Sequence, residues 1–209
     1  MTTDAGLPEL RAVAVGGSVP LPAPSPKGRM SVEEAIARRR SVREYSPDPL
    51  TLADISQLLW SAQGLTSSEG QRAAPSAGAR YPLETYLACA EGLFRYEVAN
   101  HTLIKVNAND LREPLAEACL GQSFVAEAAV SIIFTAVHGR TTSRYGDRGM
   151  RYIHIDVGHA AENVHLQAEA LGLASVPVGA FKDEFVAQAL ALPSNHSPIY
   201  VVPVGHPRG

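Results

Sequence analysis

A run of apolar residues spaced three and four apart constrains the fold of this 209-residue chain more than any other feature. The run comprises Ile153, Val157, Ala160, Val164, Ala168 and Leu171. That spacing places all six on one face of a long helix, which Gly172 is suited to end. Gly158 inside the helix costs about 1 kcal/mol relative to alanine. Either another helix approaches closely at Gly158 and Ala161, or Gly158 is a neutral surface residue.

Shorter elements surround this helix. Residues 31–34 (Ser-Val-Glu-Glu) and 51–54 (Thr-Leu-Ala-Asp) resemble capping boxes and predict helices that run to about residue 39 and to Gly64. Strands are predicted at 84–90, 93–96, 103–106, 130–137, 176–178 and 199–204, and further helices at 111–119 and 183–190. This alternation predicts an α/β or α+β fold in one compact domain, 29–209, after an extended Pro-rich arm at 1–28.

Composition excludes several classes of protein. A formal net charge of -3 argues against nucleic acid as a partner, because phosphate-backbone binders carry a basic surplus. The longest apolar stretch, 128–137, is far shorter than the roughly 20 residues of a membrane helix. Cys89 and Cys119 form no CxxC motif, and the N-terminus lacks a signal pattern, so a cytoplasmic protein is expected. His154, His159 and His165 are five and six residues apart, which does not suit a metal site.

Four segments have the residue types that bind ligands. Residues 38–43 (Arg-Arg-Arg-Ser-Val-Arg) suit a phosphate, because guanidinium groups make paired, charge-assisted hydrogen bonds. Residues 72–82 form a stiff loop of small residues and prolines, and 176–181 (Val-Pro-Val-Gly-Ala-Phe) let the backbone approach something flat. Residues 145–152 form a polar segment that leads into the long helix.

Each segment also has an ordinary interpretation. The arginines could merely complement a helix dipole, the loop could be an unremarkable surface loop, and glycines are common after strands. The fourth segment could be a solvated helix start capped by Asp147. The glycine-rich dinucleotide motif, the phosphate-binding P-loop motif and the GxSxG nucleophile motif are all missing from the sequence.

Taken together and in order, these segments resemble the nitroreductase superfamily, and most of all its SagB-type dehydrogenase branch. The similar stretches are 39–43, 52–64, 74–84, 151–181 and 201–206, and the resemblance spans about 31–206. It implies an α+β fold with a central, mainly antiparallel sheet flanked by helices. It also implies an intertwined homodimer that holds FMN in the subunit interface.

The resemblance implies a set of cofactor-binding residues. These are Arg39, Arg40, Ser41, Arg43, Pro75, Ser76, Ala77, Gly78, Gln122, Pro177, Val178, Gly179, Ala180 and Arg208. Arg39 is expected to hold the ribityl phosphate, and Ser41 and Arg43 to face the pyrimidine edge, where the reduced flavin is negative. Residues 75–78 are expected from the partner subunit.

The remaining positions concern the flavin ring. Gln122 is expected to bond the pyrimidine side, while 177–180 line the ring with a backbone N–H of Gly179 or Ala180 near N5. Such an apolar wall with backbone donors protects a reduced flavin and leaves one face open to hydride transfer.

The sequence departs from the family pattern at three places. It stops at Gly209, before the basic C-terminal residues that some nitroreductases place on the phosphate, so His206 or Arg208 is expected to substitute. Position 80 is arginine where the branch usually has leucine, and this side chain faces either a substrate acid or solvent. The branch also has a Lys-Tyr pair before Gly-Asp/Glu-Arg. Here the pair is Arg144-Tyr145, which we take as the catalytic pair although arginine cannot act as a base.

Three hypotheses for function follow. In the first, FMN takes a hydride from a carbon centre of a peptide or another natural product, and oxygen reoxidises it. In the second, the protein is an NAD(P)H-dependent reductase of nitroaromatics or quinones. In the third, it is a non-catalytic FMN-binding partner subunit.

Overall fold

The computed structural model describes residues 7–209, so the first six residues of the expected N-terminal arm lie outside it. The helices are α1 (Pro8–Ala12), α2 (Val32–Arg38), α3 (Leu52–Gln63), α4 (Arg112–Ala118), α5 (Phe124–Glu127), α6 (Gly139–Tyr145), α7 (Arg148–Ala170) and α8 (Asp183–Ala189), with one 3-10 turn at Ala77–Ala79. The strands are β1 (Ser18–Pro20), β2 (Leu83–Cys89), β3 (Gly92–Glu97), β4 (Thr102–Asn107), β5 (Val130–Ala136), β6 (Ala174–Ser175) and β7 (Ser197–Gly205).

The strands form one sheet in the order β1-β4-β3-β2-β5-β7-β6, and every neighbouring pair is antiparallel. The fold is therefore α+β with an antiparallel sheet, as the resemblance implied, and the α/β alternative is wrong. Strand β5 lies inside the sheet between β2 and β7 with all of its residues buried, which agrees with its largely apolar sequence.

Helices cover both faces of this sheet. Because successive residues of a strand point to opposite faces, Ile132 of β5 joins the core beneath α3 and α7, whereas Ile133 joins the core beneath α4 and α8. Both predicted capping boxes are present, at Ser31 with Glu34 and at Thr51 with Asp54. Among the described helices none is long and apolar enough to span a membrane.

The predicted long helix is confirmed as α7, and it begins five residues before the apolar run. It packs on α3, and Ala161 is buried in their shared core. Gly158 is exposed, and a methyl group added there would meet nothing within 4 Å. Among residues 7–209, the suspected close contact at Gly158 is therefore absent. Asp147 is the N-cap residue of α7, as the ordinary interpretation of that segment predicted, but its side chain makes no capping hydrogen bond.

The N-terminal arm is not extended throughout. Residues Pro8–Ala12 form α1, and β1 pairs with β4 and becomes an edge strand of the sheet. Two buried charged side chains hold α1: Glu91 accepts a hydrogen bond from the Leu7 N–H at 2.9 Å, and Lys105 donates one to the Leu10 carbonyl at 3.1 Å. Leu10 itself is fully buried. Burial of its few apolar residues thus stabilises the packing of this Pro-rich arm on the rest of the domain.

The strand predicted at 176–178 is wrong. Strand β6 comprises only Ala174–Ser175, and Val178 is joined to Val201 by an isolated bridge. Pro177 has no N–H with which to continue the ladder. Helices α5 and α6 were not predicted, because neither has an apolar residue spacing typical of a helix.

Candidate active site

Arg39 lies at the mouth of a small pocket beside the end of α2. The helix ends at Arg38, and Arg39 leaves it with non-helical backbone angles, φ -44° and ψ 127°. Its Nη1 donates to His165 Nε2 on α7 at 2.9 Å, and its Nε lies 3.9 Å from a carboxylate oxygen of Glu162. The pocket has a volume of about 160 Å³, and Arg39, Arg40 and Ser175 are among its lining residues. Two arginines and one carboxylate, that of Glu169, line the pocket, so the arginines are in excess and the size suits a phosphate group.

Arg40 has a different environment from Arg39. Its Nη1 donates to the carbonyls of Ala37, Arg38 and Arg39 at 3.0, 3.3 and 2.7 Å. These are carbonyls at the C-terminal end of α2, which a cation stabilises. The helix-dipole interpretation of the arginine run therefore describes Arg40, although its side chain also borders the pocket.

The segment after Arg40 is attached to the edge of the sheet. Ser41 forms a parallel bridge with Ser175, and the Val42 N–H donates to the Ser175 carbonyl at 3.1 Å. Tyr45 is buried, and its hydroxyl donates to the Val42 carbonyl at 3.0 Å. Burial raises the pKa of Tyr45, so this donor stays protonated. Arg43 remains exposed, with its guanidinium 5.7 Å from the centre of the Phe124 ring.

Gln122 connects this region to the turn at 177–180. Its amide nitrogen donates to the Cys119 carbonyl at 2.6 Å and to the Ala180 carbonyl at 3.0 Å, which leaves the amide oxygen to accept from a ligand. Gly179 and Ala180 are exposed, and within residues 7–209 their N–H groups make no backbone hydrogen bond. The turn therefore presents free donors beside a free acceptor.

The loop at 75–78 is fixed by Asp156, a carboxylate in α7 that is only 4% exposed. Asp156 accepts from the Ala77 N–H at 3.3 Å and from the Ser76 hydroxyl. The Ser76 oxygen in turn accepts from the Tyr81 N–H at 2.9 Å. Burial raises the pKa of Asp156, against the bonds from Ser76 and Ala77 and the charge of His159. Its second oxygen is buried without a hydrogen-bond partner among the described residues.

Tyr145 and Arg144 lie against the same loop. Gly78 has φ +59°, and a Cβ built there would overlap the Tyr145 hydroxyl. The Tyr145 ring packs edge-on against Tyr152 at 5.1 Å, and the Arg144 guanidinium lies 5.4 Å from the Tyr145 ring centre. The proposed catalytic pair is thus next to the loop at 75–78, which is predicted to contact the flavin. Arg80 is exposed to solvent, as one of its two expectations had it, and it donates from Nε to the Arg140 carbonyl at 2.8 Å.

Arg208 is placed less favourably for the phosphate pocket. Its Nη2 lies 3.9 Å from a carboxylate oxygen of Glu127, and its N–H donates to the Glu44 carbonyl at 3.1 Å. Pro207, and neither Arg208 nor His206, lines the pocket. The side chain of Arg208 is largely exposed.

The predicted site residues therefore form two clusters, which contact opposite borders of the buried face of α7. One cluster, around Arg39, touches His165, and the other, the loop at 75–78, touches Asp156. These two helix positions are separated by roughly 13 Å along the axis and by about half a turn around it. A single chain does not bring the two clusters together.

Sequence reasoning missed Asp156, His165 and Ser175. The first two are polar residues at buried positions of an amphipathic helix, next to Val157 and Val164. That placement was the available signal, since a buried polar group needs a partner. The identity of the partner is a property of the fold.

The antiparallel sheet, the helix α7 and the arginine-lined pocket define an α+β protein suited to a phosphorylated ligand. The nitroreductase family model matches residues 36–206. "Putative nitroreductase MJ1384" of Methanocaldococcus jannaschii is 41% identical over 182 residues, which are 84% of this chain and 91% of the relative. The chain belongs to the nitroreductase family. Members of this family are FMN-dependent oxidoreductases, so the protein is an enzyme with FMN as its cofactor.

Two further comparisons agree with this assignment. A crystal structure of a "putative nitroreductase" from Ralstonia eutropha superposes with a TM-score of 0.85 at 30% identity and covers 95% of this chain and 94% of its own. "FMN reductase [NAD(P)H]" of Bacillus subtilis is 23% identical over 191 residues, which are 84% of this chain and 66% of that protein.

Proposed function

We propose that this enzyme is an NAD(P)H-dependent reductase that passes a hydride through FMN to an organic acceptor such as a nitroaromatic compound or a quinone. When bound, FMN supplies reversible hydride transfer. The observation that carries the proposal is the Arg144 guanidinium packed on Tyr145 beside the loop at 75–78. Arginine keeps its proton at physiological pH, so the position has no lysine-like base for substrate oxidation. Hydride transfer from a nicotinamide needs no such base.

The residues fit FMN chemically. The pocket at Arg39 is large enough for a phosphate and offers a guanidinium with free donors. Ser41 and Arg43 follow it along the chain and would face the pyrimidine edge, where the charge of Arg43 stabilises a reduced ring. Gln122 would accept a hydrogen bond from the pyrimidine side, and the free N–H groups of Gly179 and Ala180 would donate to the ring.

The same geometry supports a homodimer. The loop at 75–78 and Arg39 lie on opposite borders of α7, so the loop of one chain reaches an Arg39 pocket only if that pocket belongs to a second chain. The face of α7 between those borders includes Gly158 and Ile155, and Ile155 is 46% exposed. An exposed isoleucine beside a glycine is a suitable surface for a second helix. Each of the two sites would then combine residues from both chains.

Oxidation of a peptide or related natural product is the second candidate. The contact between the Tyr145 hydroxyl and Gly78 favours it, because the SagB-type branch has tyrosine at the equivalent place. In that reaction Tyr145 would hold or move a proton at the substrate while the hydride leaves. The partner arginine would position the substrate without accepting a proton.

An anaerobic titration separates the two candidates. We expect the yellow protein to lose its visible flavin absorbance rapidly on mixing with NADPH or NADH. The variant Arg144→Lys, which restores the Lys-Tyr pair, serves as the matched comparison and should be bleached at a similar rate. If neither nucleotide bleaches the flavin while an azoline-containing peptide does, the reductase proposal is wrong. A protein purified without flavin, and unable to bind added FMN, would contradict both candidates.

A further inference from the structure

His165 lies between Arg39 and the sheet. We propose that His165 is a positioning residue that holds the Arg39 guanidinium toward the phosphate of the flavin, with Ser175 fixing the orientation of the imidazole ring. This inference rests on the proposed role of Arg39 in phosphate binding. It adds two residues, His165 and Ser175, to which neither the family resemblance nor the comparisons assign a role.

The hydrogen bonds determine the tautomer of His165. A guanidinium can only donate, so Nε2 of His165 must accept the bond from Arg39 Nη1 at 2.9 Å. The proton of the neutral ring is then on Nδ1, which donates to the Ser175 hydroxyl oxygen at 2.5 Å. His165 is 3% exposed and Ser175 is 2% exposed, so water does not compete for these bonds.

The charge state of His165 agrees with this assignment. Burial, and secondarily the charge of Arg39, lower the pKa of His165 to about 4. The ring is therefore neutral at physiological pH, and its Nε2 lone pair is available to the arginine. A protonated ring would present an N–H to Arg39 and repel it.

Ser175 also connects the histidine to the ligand-binding segment. Its carbonyl accepts from the Val42 N–H at 3.1 Å, while its hydroxyl accepts from His165. The strand end at Ser175 thus holds both the backbone that follows Arg39 and the ring that contacts the Arg39 side chain. Arg39, His165 and Ser175 are thus connected both through side chains and through the backbone at Val42. These contacts restrict the Arg39 guanidinium to one side of the pocket.

Glu162 is a competing partner for the Arg39 guanidinium, and the bond to His165 limits this competition. Its carboxylate lies 3.9 Å from Arg39 Nε and is about half exposed. Without the bond to His165, the arginine could turn fully to Glu162 and away from the pocket. With one Nη on His165, the other guanidinium nitrogens keep a fixed geometry for paired bonds to a phosphate.

The test compares FMN with riboflavin, which lacks the phosphate, by equilibrium dialysis of the full-length protein. His165→Leu should weaken FMN binding on the order of tenfold and leave riboflavin binding unchanged, because it removes a bond to a charged group. His165→Gln retains an acceptor and should recover most of the preference for FMN. Arg39→Ala gives the loss of FMN affinity when the arginine is absent altogether. Adding His165→Leu to Arg39→Ala should cause no further loss.

The outcomes separate this inference from the function on which it rests. If Arg39→Ala leaves FMN binding unchanged, the phosphate site itself is wrong. If Arg39→Ala weakens FMN binding and His165→Leu does not, the positioning role is wrong. Should His165→Leu not fold, Ser175→Ala is decisive. A several-fold loss for FMN alone supports the proposal, and an equal loss for both ligands or none for either overturns it.

Discussion

Gly78 is the residue of the loop at 75–78 that lies against Tyr145 of the proposed catalytic pair. Its φ of +59° is in the left-handed region that glycine adopts without strain, and its Cα faces the Tyr145 hydroxyl with no room for a side chain. Two separate constraints, backbone angle and space, thus apply to one residue. Gly121 has a similar φ of +72°, but a Cβ there would meet nothing within 4 Å, so the chain contains its own control.

We expect Gly78→Ala to reduce NADPH-dependent turnover strongly, because the new methyl group displaces Tyr145 from the loop. Gly121→Ala should have the same backbone strain, about 1–2 kcal/mol of unfolding free energy, with little effect on turnover. Steady-state kinetics and denaturant unfolding of both variants measure the two effects. Equal turnover in the two variants would show that contact with Tyr145 is unimportant.

His165 also affects stability as a function of pH. Its pKa is about 4 in the folded protein, against an ordinary value of 6.5. The unfolded chain therefore takes up a proton first as the pH falls, and the stabilising contribution of neutral His165 is complete above 6.5 and lost toward 4. Burial likewise lowers the pKa of His101 and His196, so they act in the same direction.

Lowering the pH from 7 to 4.5 should therefore decrease the unfolding free energy, with His165 contributing on the order of 2 kcal/mol. In His165→Gln, where residue 165 itself no longer titrates, the decrease should be smaller by about that amount. Urea unfolding at the two pH values measures both slopes. Parallel slopes for the two proteins would contradict a neutral, buried His165.

Helix α7 organises the molecule at the next scale. Its buried face completes the core with α3, and the two borders of that face hold Asp156 and His165. The face opposite the core has the exposed residues Ile155 and Gly158. One helix thus supports the fold, both clusters of site residues and the proposed dimer surface.

Ile155→Arg should convert the proposed dimer to a monomer and release FMN, because a charge on the surface between paired helices cannot be solvated. Phe185→Arg is a matched control, since Phe185 on α8 is similarly exposed, at 50%, but lies on the other side of the sheet. Light scattering gives the mass, and absorbance gives the flavin content. A dimeric, yellow Ile155→Arg protein would exclude this face as the interface.

Elements determined by neighbouring residues could be predicted from sequence. Helices α2 and α3 have capping boxes within four residues, and α7 has a long apolar period. Strand β6 has only two residues and depends on pairing with β7 across the fold. The candidate site divides in the same way. Arg39 and Gly78 are in recognisable local motifs, whereas the contacts of Asp156 and His165 depend on which chain segments α7 meets.

At the scale of the whole molecule, each chain contains two proposed half-sites, which contact opposite borders of the buried face of α7. The Arg39 pocket and the turn at 177–180 form one half, and the loop at 75–78 with Tyr145 forms the other. A two-fold axis beside α7 would place the Arg39 pocket of each chain next to the loop at 75–78 of the other chain. FMN binding and dimerisation are then linked, so each stabilises the other.

A heterodimer of two damaged chains tests this account most directly. Arg39→Ala damages one half-site and Gly78→Val the other, so each homodimer should lose FMN on dialysis. In a heterodimer purified through two different tags, one site has both defects and the other has none. We expect about one tightly held FMN per heterodimer. Heterodimers that retain no more FMN than either homodimer would show that Arg39 and the loop at 75–78 of the same chain serve the same site, and would contradict it.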